Sequence, residues 1–147
     1  MSDNTKIRFI KLDEKAKAPV RKHEDDAGAD LASIESVTLG IGESRLISTG
    51  IAIELPAHCL GYITPRSGLA SKHGISIVNA PGLIDTGYRG EIKICLINLG
   101  HEPFHISIGD RIAQLVVQRY EPTEFVETDS LIETERWDGG FGSTGTD

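Results

Sequence analysis

Hydrophobic and polar residues alternate along most of this chain, and sustained helical spacing is nearly absent. Short alternating runs occupy residues 7–12, 37–39, 45–48, 51–55, 61–64, 75–78, 92–97, 104–108 and 111–117. Their Ile, Val and Leu content fits strands half-buried on a pleated sheet. Turn-forming residues punctuate the runs: Gly40 and Gly42, Thr49-Gly50, Leu55-Pro56, Gly100 and Pro103, and Gly109-Asp110. Short strands at this spacing predict an all-β fold, either a sandwich or a closed barrel. The one predicted helix covers residues 67–73 and stops at Gly74, a residue free to take the positive φ that closes a last turn.

After Tyr120 the alternation fades. Glu121, Glu124, Glu127, Asp129, Glu133 and Glu135 accumulate with no basic residue before Arg136, which describes an acidic arm rather than a core element. The arm ends in Gly139-Gly140-Phe141-Gly142-Ser143-Thr144-Gly145. The chain thus divides into a β core over residues 1–120 and a carboxy-terminal arm over 121–147. By composition alone a disordered terminus is the better reading of the arm, although Arg136 with Ser143, Thr144 and the glycine amides could wrap a terminal phosphate.

Composition narrows the choice of function. At 147 residues and 39% hydrophobic content, one domain buries a real but lean core, so part of its surface is expected to be completed by another subunit. A net charge of -7 excludes a general nucleic-acid-binding surface, and any bound anion must be held by local donors or a divalent cation. No stretch is apolar for long enough to cross a bilayer, and residues 1–6 hold no hydrophobic targeting core. The expectation is a cytoplasmic protein with neither nucleic-acid nor membrane partners. Cys59 and Cys95 belong to no C-x-x-C pair and are expected to be buried thiols. His101 and His105 flank Pro103 with no thiolate nearby, which argues against a structural metal there.

Four polar clusters remain as candidate chemistry. Residues 82–90 place Asp85 and Tyr88 three apart between glycines, on what reads as a tight connection between the strands 75–78 and 92–97. A hairpin whose Asp and Gly merely make the turn explains the same residues. Pro65-Arg66-Ser67-Gly68-Leu69-Ala70 offers a guanidinium, a hydroxyl and free amides where the helix begins, suited to an anion or to a Ser cap beside a surface Arg. Gly109-Asp110-Arg111-Ile112-Ala113-Gln114-Leu115 sets the amide of Gln114 in an apolar run, where it needs a partner or a ligand. Asp25, Asp26 and Asp30 form an acidic loop before a strand, whose hard oxygens suit Mg²⁺ as well as plain solvation.

Together with the tail, these segments resemble the five ordered motifs of the trimeric deoxyuridine triphosphate nucleotidohydrolases, the dUTPases. The matching stretches are Ala27-Gly28-Ala29-Asp30-Leu31, the segments 65–70, 82–90 and 109–115, and the arm residues 136–145. The resemblance implies a jelly-roll-like distorted barrel with one short helix and a flexible arm, forming a homotrimer whose active sites draw on all three chains. It implies that Asp85 activates the water attacking the α-phosphorus of dUTP, and that Tyr88 lies under the deoxyribose and excludes a 2′-hydroxyl. Asn79 and the backbone up to Leu83 would bind the uracil edge. Ser67, Gly68 and Gln114 would hold phosphates, with Arg66 supporting them, and Asp30 would reach the substrate-bound Mg²⁺ through water. Arg136, Phe141, Gly142, Ser143 and Thr144 would close over the nucleotide, Phe141 stacking on the base. Trp137 departs from the pattern, since relatives generally carry a small residue there, often glycine. A dCTP deaminase relative and a nucleotide-sensing partner protein are the competing functions. The uninterrupted 82–90 segment with the full arm favours dUTP hydrolysis over the first, and retention of Asp85, Tyr88 and Arg136 speaks against a catalytically dead form of the second, though not against an added partner role.

Overall fold

The computed structural model describes residues 4–146. Residues 1–3, part of the amino-terminal stretch judged above for targeting, and Asp147, the last residue of the arm, lie outside the described residues.

The strands are β1 (Arg8–Lys11), β2 (Ala29–Ala32), β3 (Val37–Leu39), β4 (Ser44–Ser48), β5 (Ile51–Glu54), β6 (Cys59–Thr64), β7 (Ile75–Ile77), β8 (Gly82–Ile84), β9 (Lys93–Asn98), β10 (Phe104–Ile106) and β11 (Arg111–Arg119), with α1 (Ser67–His73) between β6 and β7. They pair antiparallel into a four-stranded sheet β2-β11-β6-β8, a three-stranded sheet β4-β9-β7, and the pairs β1-β5 and β10-β3. Among the described residues the ladders do not close into a barrel, which corrects the expected distorted barrel to a set of separate short sheets. The corner at Thr49-Gly50 shows why. Gly50 takes φ +68° and Thr49, fully buried, donates its hydroxyl to Ile92 O at 2.6 Å. A Cβ at Gly50 would lie 2.9 Å from that of Ala16, so only glycine turns here. Before the corner β4 pairs with β9; after it β5 pairs with β1, so one continuous stretch leaves one sheet for another.

The apolar faces enclose a core in which Leu31, Leu39, Ile47, Ile51, Ile75, Ile94, Leu96, Ile106 and Ile112 are almost wholly removed from water. Each contributes roughly 1.5–3 kcal/mol by burial. Asn98, also buried, is fully bonded: its amide donates to Leu39 O (3.1 Å) and Glu102 O (2.7 Å), and its carbonyl accepts from Gly100 N (2.9 Å). Cys59 is buried and Cys95 half-buried, and both are free thiols. No helix among the described residues is long and apolar enough to cross a membrane.

α1 has the predicted bounds, and Gly74 ends it at φ +68° with its N–H turned back to Ala70 O and Leu69 O. The cap residue is Arg66 rather than Ser67, and no side chain caps the helix. Two strands depart from expectation. Asp30, expected in a loop, lies within β2. The segment 82–90, expected as a tight connection, begins with β8, which leaves the β7-β9 pairing and adds to β6. Both strands are fixed by partners far along the chain, β11 and β6, which local alternation does not reveal. Beyond β11, Tyr120 N donates to His58 O at 2.9 Å, and residues 121–138 then run exposed without strand or helix.

Candidate active site

Behind β8 and β9, Ile63, Ile77, Ile84 and Ile92 form the apolar wall of a cavity of about 280 Å³, and Asn79, Leu83, Asp85 and Tyr88 stand at its rim. The rim is fixed by its own hydrogen bonds. Tyr88 N donates to Asp85 O at 3.1 Å, the Thr86 hydroxyl to Cys59 O at 2.6 Å, and the Tyr88 hydroxyl to Glu91 O at 2.9 Å. Arg89 donates to Thr86 O (2.8 Å) and Tyr88 O (3.0 Å) and reaches Glu54 at 4.0 Å. The hydrogen bond from Arg8, and behind it the Arg8 charge, hold the Glu54 carboxyl below its ordinary range, which keeps it ionised opposite Arg89. Gly90 makes room for the tyrosine: a Cβ there would sit 2.5 Å from the Tyr88 hydroxyl and 2.7 Å from the ring. Asp85 is exposed among the residues that line the cavity, and the turn's hydrogen bond uses its backbone carbonyl rather than its carboxylate.

A second constellation gathers around Asp30. Its side chain, only 12% exposed, lies 3.5 Å from Arg66 Nε and 3.2 Å from Arg111 Nη1, and Gln114 Nε2 approaches it at 3.5 Å. Arg66 also donates to Arg111 O at 3.1 Å. Strand pairing dictates the meeting, because Gln114 on β11 stands in register with Asp30 on β2 and with Thr64 on β6, just before Arg66. Gly28 leaves room for the amide, as a Cβ there would come 3.2 Å from Gln114 Cβ. Two guanidiniums against one carboxylate leave a positive surplus. Ser67 and Gly68 are exposed beside it in the first turn of α1, whose backbone N–H groups have no acceptor within the helix.

The two constellations lie at opposite ends of β6. Ile84 pairs with Gly61 and Gln114 with Thr64, on opposite edges of that strand. Along and across the sheet this separates them by roughly 14 Å. The arm is hydrogen-bonded to neither: among the described residues the hydrogen bonds of 121–146 join only arm residues. It folds into turns of its own: Gly139 N donates to Arg136 O (2.9 Å) and Ser143 N to Gly140 O (3.0 Å), with positive φ at Phe141 (50°) and Gly142 (81°). Phe141, Ser143 and Thr144 are exposed. Trp137 is the first central residue of the Arg136–Gly139 turn at φ 49°, a conformation costing a side-chain-bearing residue about 1–2 kcal/mol and glycine almost nothing. That accounts physically for the small residue expected there. Arg111 and Glu91 carried no assigned role in the sequence; the one opens an apolar strand and the other precedes one. Arg111 holds its site through both its backbone carbonyl and its charge, whereas Glu91 holds the rim through its carbonyl alone and turns its carboxylate to Gly50 N.

A family model described as dUTPase matches residues 14–145. The deoxyuridine 5'-triphosphate nucleotidohydrolase of Corynebacterium diphtheriae is 56% identical over 140 residues, spanning 95% of this chain and 92% of that protein. The enzyme of the same name from Corynebacterium glutamicum is 50% identical over 146 residues, spanning 99% and 98%. The solved Staphylococcus bacteriophage 80alpha dUTPase with dUPNHPP superposes with a TM-score of 0.90 at 29% identity, covering 97% of this chain and all of the phage chain. A solved dUTPase from phage phi11 of S. aureus, in which a structural Mg(II) ion is coordinated, superposes at 0.82 with 28% identity over 88% of this chain. The matched span reaches from before Gly28 to Gly145 and so contains the cavity rim, the Asp30 cluster and the arm turns alike; the chain belongs to the dUTPase family.

Proposed function

We infer that the chain hydrolyses dUTP to dUMP and pyrophosphate, which keeps uracil out of DNA and supplies dUMP for thymidylate synthesis. The observation that carries this reading is the apolar cavity with Asp85 and Tyr88 locked at its rim. At about 280 Å³ it is at the small end of ligand sites, matching a pyrimidine nucleoside rather than a whole triphosphate. Uracil enters against Asn79 and the backbone to Leu83, and the deoxyribose rests on Tyr88, leaving no room for a 2′-hydroxyl. Asp85 takes a proton from water in line with the α-phosphorus, the P–O bond to the β-phosphate breaks, and pyrophosphate leaves. Arg66, Ser67, Gly68 and Gln114 hold the phosphates as charge moves onto the leaving group. The arm then covers the nucleotide, with Arg136, Gly142, Ser143 and Thr144 on phosphate and Phe141 on the base.

The donor set around Asp30 fits Mg²⁺ in one way. No three acidic, His or Cys side chains cluster among the described residues, and Asp30 already serves Arg66, Arg111 and Gln114. The ion would be carried by substrate phosphates and water, with Asp30 accepting from its hydration shell, and would supply charge neutralisation. The roughly 14 Å between the constellations in one chain supports a homotrimer in which the cavity of one copy faces the Asp30 cluster of another and a third contributes the arm. Residues 1–120 are the β core, with jelly-roll-like strand order, and 121–147 the closing arm. The test is a panel of dUTP, UTP, dTTP and dCTP with and without Mg²⁺. Pyrophosphate release from dUTP alone, dependent on Mg²⁺, is expected; no release by folded protein would refute the activity.

The Gly90 contact yields a sharper expectation. Gly90→Ala displaces the Tyr88 ring, so the preference for dUTP over UTP in kcat/KM is expected to drop roughly tenfold. An unchanged ratio would show that the ring does not read the sugar.

A further inference from the structure

We propose that a basic cleft beside the Asp30 cluster is a binding site for inorganic pyrophosphate, receiving the product as it leaves; the proposal rests on the dUTP-hydrolysing reading above. The cleft, about 580 Å³, opens between the 11–22 segment and the corner at Gly109, and its walls carry Lys11, Lys17, Lys22 and Arg111 against the single carboxylate of Asp30. In a chain whose net charge is -7 such a concentration of cations is local. Among the described residues no carboxylate lies within 4.0 Å of Lys11, Lys17 or Lys22, and Asp30 is already shared by Arg66 and Arg111.

The position of one lysine is fixed. Lys17 Nζ donates to Gly109 O at 3.1 Å, and a Cβ on Gly109 would lie 2.9 Å from that nitrogen, so the glycine lets the ammonium cross the mouth. One hydrogen bond leaves the ammonium two further donors. The rest of the lining is small or aliphatic, with Ala16 and Ala32 buried and Ala18 and Val20 more exposed, which leaves the volume open. No aromatic ring lines the cleft, so nothing there stacks on a nucleobase, and three flexible ammonium groups suit a compact, multiply charged anion better than a nucleotide. Asp30 and Arg111 belong to both this cleft and the phosphate cluster, so the two sites share a wall. Pyrophosphate freed at the cluster therefore meets the unpaired lysines next.

The experiment uses the full chain with Mg²⁺ and the double variant Lys17→Ala/Lys22→Ala, with Lys17→Arg/Lys22→Arg as the charge-preserving control. Calorimetry with pyrophosphate, and in a separate arm with inorganic phosphate, is run on each. The alanine variant is expected to raise the pyrophosphate Kd by about tenfold or more while the arginine variant keeps it, and phosphate is expected to bind the parent protein far more weakly. Pyrophosphate affinity equal in the alanine variant and the parent would overturn the cleft, even while the parent hydrolyses dUTP. Equal affinity for phosphate and pyrophosphate would overturn the ligand. Absence of dUTP hydrolysis by the parent would instead remove the reading on which the proposal rests. Melting curves confirm that each variant is folded; should the double alanine variant fail to fold, Lys22→Gln alone answers by the same shift in Kd.

Discussion

Replacing Asp85 by Asn is expected to lower kcat for dUTP by about 10³-fold while leaving the dissociation constant within a few-fold. The substitution keeps the shape of the side chain and one acceptor oxygen, and removes the negative charge that takes a proton from water. Such a loss corresponds to about 4 kcal/mol of barrier. Binding is spared because Asp85 stands at the cavity rim, exposed, while the apolar wall and the fixed Tyr88 remain. Folding is spared because the turn is closed by backbone groups and by Thr86 and Arg89, not by the Asp85 carboxylate. Pyrophosphate release and calorimetric binding of dUTP, measured on the same preparation, separate the two effects. A variant with unchanged kcat would remove Asp85 from the chemistry, and one that binds a hundredfold more weakly would make it a binding group.

Ending the chain after Glu135 is expected to reduce kcat/KM by about 10²–10⁴-fold with no change in melting temperature or oligomeric mass. Stacking of a base on Phe141 contributes ~1–3 kcal/mol, and a charge-assisted contact from Arg136 to phosphate about 1.5–3 kcal/mol; together they set the size of the loss. The stability expectation follows from the exposure of 121–138 and from hydrogen bonds that never leave the arm. Exposed segments of this kind are usually worth under about 0.5 kcal/mol per residue changed. If the shortened protein melts early or changes mass, the arm supports the assembly; if it retains full activity, the closing role fails.

Much of the fold was legible because Gly and Pro punctuate the alternation so regularly. α1 and its stop at Gly74 follow from a single residue that alone tolerates φ +68° beside Gly100, where an added Cβ would lie 2.6 Å from the backbone. β8 was read as a connection and β2 was expected to begin only after Asp30, because both depend on partners far along the chain, β6 and β11. The candidate site divided in the same way. Asp85, Tyr88, Arg66 and Gln114 stand out as polar residues in glycine-rich or apolar settings, so composition reveals them. Which of them meet is decided by register on β6, a long-range fact that spacing does not encode. Lys17 and Lys22 lay hidden for a different reason: their segment has no periodicity, and what orders it is a set of scattered contacts, among them the Val20–Asp30 bridge, the Lys17–Gly109 hydrogen bond and the burial of Ala16.

The chain contains one tryptophan, and it sits in the arm at Trp137, 62% exposed and next to Arg136. The strained turn that makes it an unusual choice there also gives the protein an optical label in its carboxy-terminal arm. Three tyrosines aside, all near-ultraviolet emission excited above the tyrosine band comes from this indole, so its colour and intensity report the surroundings of the arm and of nothing else in the molecule.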